Sequence, residues 1–153
     1  MVTQLARDAH GRLLVDVRGP RFAAVLTTVV LGAALVLQGP VGRGLIAWQW
    51  LVFAVASVGG LRASLYGNLF RFVKRTLELG PPPETEPEAP VRFAQACGLV
   101  VLTVAGILHA VGATTSAWIA AGVVLALSAL LASTGICVGC ELWLLGERLR
   151  RRR

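Results

Sequence analysis

The run FAQACGLVVLTVAGILHAVG at 93–112, the turn ATTS at 113–116 and the run AWIAAGVVLALSALLASTGICVGCELWLL at 117–145 decide how this chain folds. Twenty residues of helix rise about 30 Å, the thickness of a bilayer's hydrocarbon core. The second run is longer than one crossing needs, so its last turns are expected to emerge into water or to bend. Joined by a tight polar turn, the two runs read as a helical hairpin.

Upstream, Phe22–Leu37 and Leu45–Leu61 form a second pair of apolar runs around Gln38-Gly39-Pro40-Val41-Gly42-Arg43-Gly44, which reads as a turn. A cleavable signal peptide fits poorly, because no small-x-small site follows Leu37. Trp48 and Trp50 suit the headgroup level. Arg62 would cost about 2.5 to 3.5 kcal/mol at mid-bilayer, which nearly cancels the insertion energy of its run, so it belongs near a helix end.

Composition agrees with lipid as the solvent. The 153 residues are 56% hydrophobic and 15% charged, with 3 Cys, and the mean hydropathy is +0.71. An ordinary soluble domain, a disulfide scaffold, collagen and a disordered tail are all excluded. The net charge of +7 does not point to nucleic acid, because the basic residues flank apolar runs instead of covering a soluble module.

The expected fold is all-α: an integral membrane four-helix bundle built from two parallel helical-hairpin repeats. The divisions are an N-terminal tail (1–21), a first transmembrane hairpin (22–70), a Pro/Glu-rich linker (71–91), a second hairpin (92–146) and a basic tail (147–153). Prolines 81–83, 87 and 90 favour extended, solvated backbone in the linker. With four spans, only Arg43 of the fifteen basic residues falls on the far side. The positive-inside rule then places both termini in the cytoplasm.

The word Arg21-Phe22-Ala23 returns 71 residues later as Arg92-Phe93-Ala94, each preceded by a Pro and an acid, and Leu69-Phe70 is echoed by Leu142-Trp143. These recurrences predict a parallel duplication about an axis along the membrane normal. The alternative is that Arg-Phe is simply a common anchor pair. Small residues such as Gly98, Gly106, Ser128 and Ala132 let helices approach closely, either within one chain or between copies in a homo-oligomer. Thr27, Thr28, Thr103 and Ser128 are candidates for lining a pore, or for bonding their own or a neighbouring helix.

No P-loop, nucleophile elbow, His-Glu-x-x-His or paired intramembrane carboxylate is present. The chemistry that remains is sulfur. Read as continuous helix, Cys137 and Cys140 reach the cytoplasmic boundary at the same depth as Cys97, near the start of the third span. Helical i,i+3 Cβ atoms stand about 5 to 6 Å apart, whereas a disulfide needs about 3.5 to 4.5 Å. Closing Cys137 onto Cys140 therefore requires unwinding, which Gly135 and Gly139 permit. A thiol at a helix C-terminus meets the negative end of the dipole, and Glu141 adds a further negative charge; both oppose the thiolate, with Arg148 and the terminal arginines as compensation.

Three readings stay open: a redox or sulfur-relay pair at Cys137 and Cys140 with Cys97 as a third thiol and Glu141 as modulator, a metal site, or small buried packing residues. His109 lies about 18 Å beyond Cys97, which leaves only Glu141, His10 or a partner as a fourth metal ligand. No cofactor-binding or metal-binding residue is assigned. Asp16, Arg18, Arg21, Glu88 and Arg92 read as orientation anchors, since exposed ion pairs contribute at most about 1 kcal/mol.

Three words together carry a resemblance: Asp16-x-Arg-x-Pro-Arg-Phe22, Pro90-x-Arg-Phe-Ala-Gln95 and Gly135-x-Cys-x-Gly-Cys-Glu141. The chain resembles the bacterial membrane family named domain of unknown function 4395, over nearly everything after the N-terminal tail. That likeness implies a small four-span protein of the bacterial inner membrane. It also implies a thioredoxin-like or sulfurtransferase partner, because such genes accompany the family. The family tends to carry a Pro where this chain has Ser64-Leu65-Tyr66-Gly67. The expected function is a thiol-redox or sulfur-relay role; the alternative is a non-catalytic scaffold or small transporter subunit.

Overall fold

The computed structural model describes residues 13–152. His10 and most of the N-terminal tail therefore lie outside the described residues. The elements in chain order are β1 (Leu14–Asp16), α1 (Arg18–Leu37), α2 (Gly39–Ala63), α3 (Leu65–Thr76), β2 (Thr85–Pro87), α4 (Glu88–Ala110), α5 (Thr114–Thr134) and α6 (Val138–Arg151).

Four of these helices, α1, α2, α4 and α5, are long and apolar enough to cross a membrane. Their outward faces stay apolar: Val36 is 83% exposed, Val58 78%, Ile119 63% and Val100 61%. A soluble helix would turn charge outward at these positions. Inward, Leu31, Ala34, Ile46, Phe53, Leu102 and Ala121 share a core. Helix α1 packs on α2 and α5, and α4 packs on the same two.

Close approach depends on missing side chains. A Cβ on Gly98 would stand 2.6 Å from the Phe53 ring, and one on Gly42 would stand 2.5 Å from the Ala34 carbonyl oxygen and 2.8 Å from Trp118. Gly42→Val is expected to destabilise the fold by about 1 to 3 kcal/mol through overpacking, read as a lower midpoint of SDS-induced unfolding. Gly44→Ala, where nothing lies within 4 Å, should not lower it.

Turns follow local chemistry. Gln38 and Gly39 both take positive φ, 43° and 52°, so α1 reverses into α2 without a loop, and Pro40 starts α2 where no donor is needed. Gly60, at φ 73°, breaks the helical path inside α2. The break frees groups that α4 then satisfies: the Leu61 N–H donates to Glu88 Oε1 at 2.9 Å, and Arg92 donates to the carbonyls of Ser57 at 2.6 Å and Val58 at 3.0 Å. Glu88 and Arg92 are therefore backbone caps between helices, where the sequence suggested surface anchors.

The linker is less free than its prolines suggest. Helix α3 runs through the boundary placed at residue 70, and β2 pairs antiparallel with β1, setting Val15 opposite Glu86. Arg18 donates to the carbonyls of Leu79 at 3.2 Å and Pro81 at 2.6 Å. Asp16 accepts from Lys74 Nζ at 2.7 Å and from the Arg18 N–H at 3.0 Å. Burial raises the Asp16 carboxyl, but these donors outweigh it and hold the group below its ordinary 3.8.

A buried polar chain crosses the helices. Gln49, fully buried, donates to Thr27 at 3.1 Å and accepts from Tyr66 at 3.0 Å. Thr28 and Thr103 donate to carbonyls of their own helices. Thr27 accepts from Gln49 and Thr103 from Trp50, so these hydroxyls bond their own or a neighbouring helix.

Candidate functional site

The long apolar run at 117–145 is two helices. Gly135, in the left-handed region at φ 79°, ends α5, and its N–H bonds the Leu131 carbonyl at 2.9 Å. After Ile136 the chain is extended at Cys137, which is the N-cap of α6. The Cys140 N–H donates to Cys137 Sγ at 3.4 Å. Unwinding is therefore built in. The dipole argument also reverses: Cys137 meets the positive N-terminal end of a new helix, which favours a thiolate.

Glycine again sets the approach. A Cβ on Gly139 would stand 2.6 Å from Ala94 Cβ and 2.8 Å from Ala94 Cα, so only a bare α carbon lets the first turn of α6 lie against α4. Phe93 and Trp143 close this seam, with ring centroids 5.4 Å apart. Cys140 is buried with Val15 and Val91, and Cys137, Ala94 and Leu61 pack around them. All three cysteines are free thiols.

The two thiols of the pair differ. The Cys140 thiol hydrogen-bonds to Cys137, and this bond, opposed by burial and aided by the N–H groups of Cys140 and Gly139, lowers Cys137 from 9.0 to about 7. That same bond, then burial, then the charges of Cys137, Glu86 and Glu141, push Cys140 far up. The shared hydrogen bond thus moves the two thiols in opposite directions.

Cys97 sits on α4 within electrostatic reach of Cys137, and so belongs to the same region. Glu141 is in the first turn of α6, its N–H bonded to the Cys137 carbonyl at 3.0 Å. Among the described residues, no cluster of three or more His, Cys, Asp and Glu side chains is arranged to hold a metal. His109 lies at the far end of α4 against Trp118, with centroids 4.9 Å apart.

Glu86 escaped the sequence reading, and Arg21 entered it only as an orientation anchor. Glu86 on β2 acts on both thiols, and burial raises its own carboxyl above the ordinary carboxylate range. Arg21 lays its guanidinium over Gly135, where a Cβ would stand 3.0 Å from Nη2. The repeat spacing held a signal for Glu86: it lies 71 residues after Val15, the strand residue it faces.

Four spanning helices with apolar outward faces define a multi-pass membrane protein, and lipid is its surroundings. Within that class the chain belongs to the family described as Domain of unknown function (DUF4395), which matches residues 15–148. The match takes in all but the first residue of β1, the whole of β2, all four spans and the thiol pair. No curated protein and no solved structure matches the chain.

Proposed function

We propose that this protein exchanges thiols and disulfides with a soluble thioredoxin-like or sulfurtransferase partner, Cys137 attacking and Cys140 resolving. The observation that carries the reading is Cys137 at the N-cap of α6 with Cys140 in the first turn above it. The Cys137 thiolate attacks a partner disulfide, forms a mixed disulfide and expels one partner thiolate. Cys140 then attacks the Cys137 sulfur, closing the internal disulfide and releasing the second partner thiol. Two electrons pass to the partner, and the reverse sequence returns them. A persulfide on Cys137 would use the same thiolate, but a resolving thiol beside it favours exchange.

The proposal includes an architecture: a four-helix bundle of two units, β1-α1-α2-α3 and β2-α4-α5-α6, related by a two-fold axis along the membrane normal. Several features support it. With an offset of 71, the strand register pairs Val15 with its own equivalent, Glu86, and exchanges Leu14 and Asp16 with each other's equivalents, as a two-fold contact requires. The Phe22–Phe70 pair, at 5.6 Å, recurs as Phe93–Trp143. Ser64 caps α3 by accepting from the Gly67 N–H, as Cys137 caps α6 by accepting from Cys140. Only the second unit carries thiols at these positions.

In this proposal both termini and the thiols face the cytoplasm of a bacterium, at its inner membrane. Support comes from the basic residues of α3 and α6 and from the position of Arg43 near the start of α2, at the opposite end.

The test is a redox titration of the purified protein in mild detergent against oxidised and reduced dithiothreitol, followed by alkylation and mass analysis. A reversible Cys137–Cys140 disulfide, with Cys97 left free, is expected. If all three thiols stay reduced under the most oxidising mixture, the cysteines only pack and the scaffold reading replaces exchange.

A further inference from the structure

Resolution by Cys140 requires that its proton go somewhere, and the thiol itself holds that proton tightly. Its neighbour across the strand pair is an acid. Glu86 is the middle residue of β2 and stands directly opposite Val15. Directly opposed residues of an antiparallel pair project to the same face. Val15 is buried against Cys140 with Cys137 packed on the pair, so the Glu86 side chain extends from the strand face that covers the thiols.

We propose that Glu86 is the proton acceptor for Cys140 when the mixed disulfide on Cys137 is resolved, an inference that rests on the exchange role above. The step balances. The Cys140 S–H bond breaks as its proton passes to the Glu86 carboxylate, a bond forms between the Cys140 and Cys137 sulfurs, and the bond from Cys137 to the partner sulfur breaks. That sulfur leaves as a thiolate with the electron pair. The carboxylic acid then returns the proton to water or to the leaving thiolate.

The groups that face this point come from several elements: Cys137, Cys140 and Glu141 at the start of α6, Cys97 on α4, and Arg21 of α1 over Gly135. Burial supports the assignment by bringing the carboxyl closer to a thiol in proton affinity. A negative Glu86 also opposes the Cys137 thiolate. Its charge also raises Cys140, so removing it eases ionisation of both thiols. Only the loss of a proton acceptor can slow resolution by Cys140 while attack by Cys137 is helped, a result that mere loosening of the site would not give.

The experiment uses the full chain in detergent with Cys97→Ser, reacted with 5,5′-dithiobis(2-nitrobenzoate). Attack by Cys137 releases one nitrothiobenzoate and resolution by Cys140 releases a second, so two phases are seen. Glu86→Gln is expected to slow the second phase roughly 10²-fold, the lower range for loss of a general base, while shifting the pH midpoint of the first phase downward. Glu86→Asp should restore part of the second phase. An unchanged second phase in Glu86→Gln, or equal slowing of both phases, overturns the assignment. A parent protein that never shows a second phase removes the exchange reading itself.

Discussion

Cys140→Ser is expected to accumulate a stable mixed disulfide with glutathione at Cys137, whereas Cys137→Ser is expected to form one at Cys140 at least about tenfold more slowly at pH 7. Two effects compete in the size of this asymmetry. With a serine hydroxyl standing in as donor for the Cys140 thiol, a Cys137 titrating at about 7 is half thiolate at pH 7, against about 1% for a thiol at its ordinary 9.0, a gain of about 50-fold in attacking species. Its lower basicity weakens each thiolate by about 6- to 10-fold over that interval. The net gain over an ordinary thiol is about 5- to 8-fold. Cys140 falls further behind because it is raised above 9.0 and buried. Mass analysis of timed samples measures both rates, and equal rates would mean that the N-cap position confers no special reactivity.

This asymmetry was hidden in the sequence for a definable reason. Hydropathy stays high from Ala117 to Leu145, so the run reads as one helix and Cys137 falls near its negative end. What divides it is Gly135, a single residue whose left-handed backbone no hydropathy profile registers. The word Ser133-Thr134-Gly135 before an apolar residue is a helix-stop signal, but in a lipid-length run it competes with the expectation of one long span. Once α5 stops, the same cysteines change dipole sign without any change in spacing.

The spans themselves were legible because bilayer thickness demands about twenty apolar residues in a row, and Arg21-Phe22 and Arg92-Phe93 mark where two of them begin. The short pieces at their ends were not. A three-residue strand carries almost no pattern, and β1 finds its partner across two spans and a helix. The Gly60 break in α2 has no proline to announce it, so the duties of Glu88 and Arg92 toward the freed Leu61, Ser57 and Val58 groups emerge only in three dimensions. Glu86 was overlooked because a Pro/Glu-rich linker normally reads as solvated spacer, whereas β pairing sets its middle acid opposite Val15, which is buried with Cys140.

If the break between α5 and α6 sets the acidity of Cys137, then Gly135→Val should undo it. A β-branched residue in the left-handed region costs roughly 1 to 2 kcal/mol, and its Cβ would also meet Arg21 at about 3.0 Å. Both strains are relieved if α5 continues through residue 137, as Val tolerates helix far better than a left-handed turn. Cys137 would then leave the N-cap and lose the N–H groups of Gly139 and Cys140, which aid the Cys140 thiol in lowering it, and so move upward. The expected result is an upward shift in the midpoint of Cys137 alkylation by iodoacetamide and a lower rate at pH 7, because two of the three groups that lower the thiol are lost. Helix content by circular dichroism should hold or rise, which separates this outcome from unfolding. Gly122→Ala, at a helical glycine with nothing within 4 Å, serves as the control and should leave the midpoint in place. A Gly135→Val protein that keeps its helices and still titrates near 7 would show that the hydrogen bond from the Cys140 thiol governs the nucleophile alone, without the helix start.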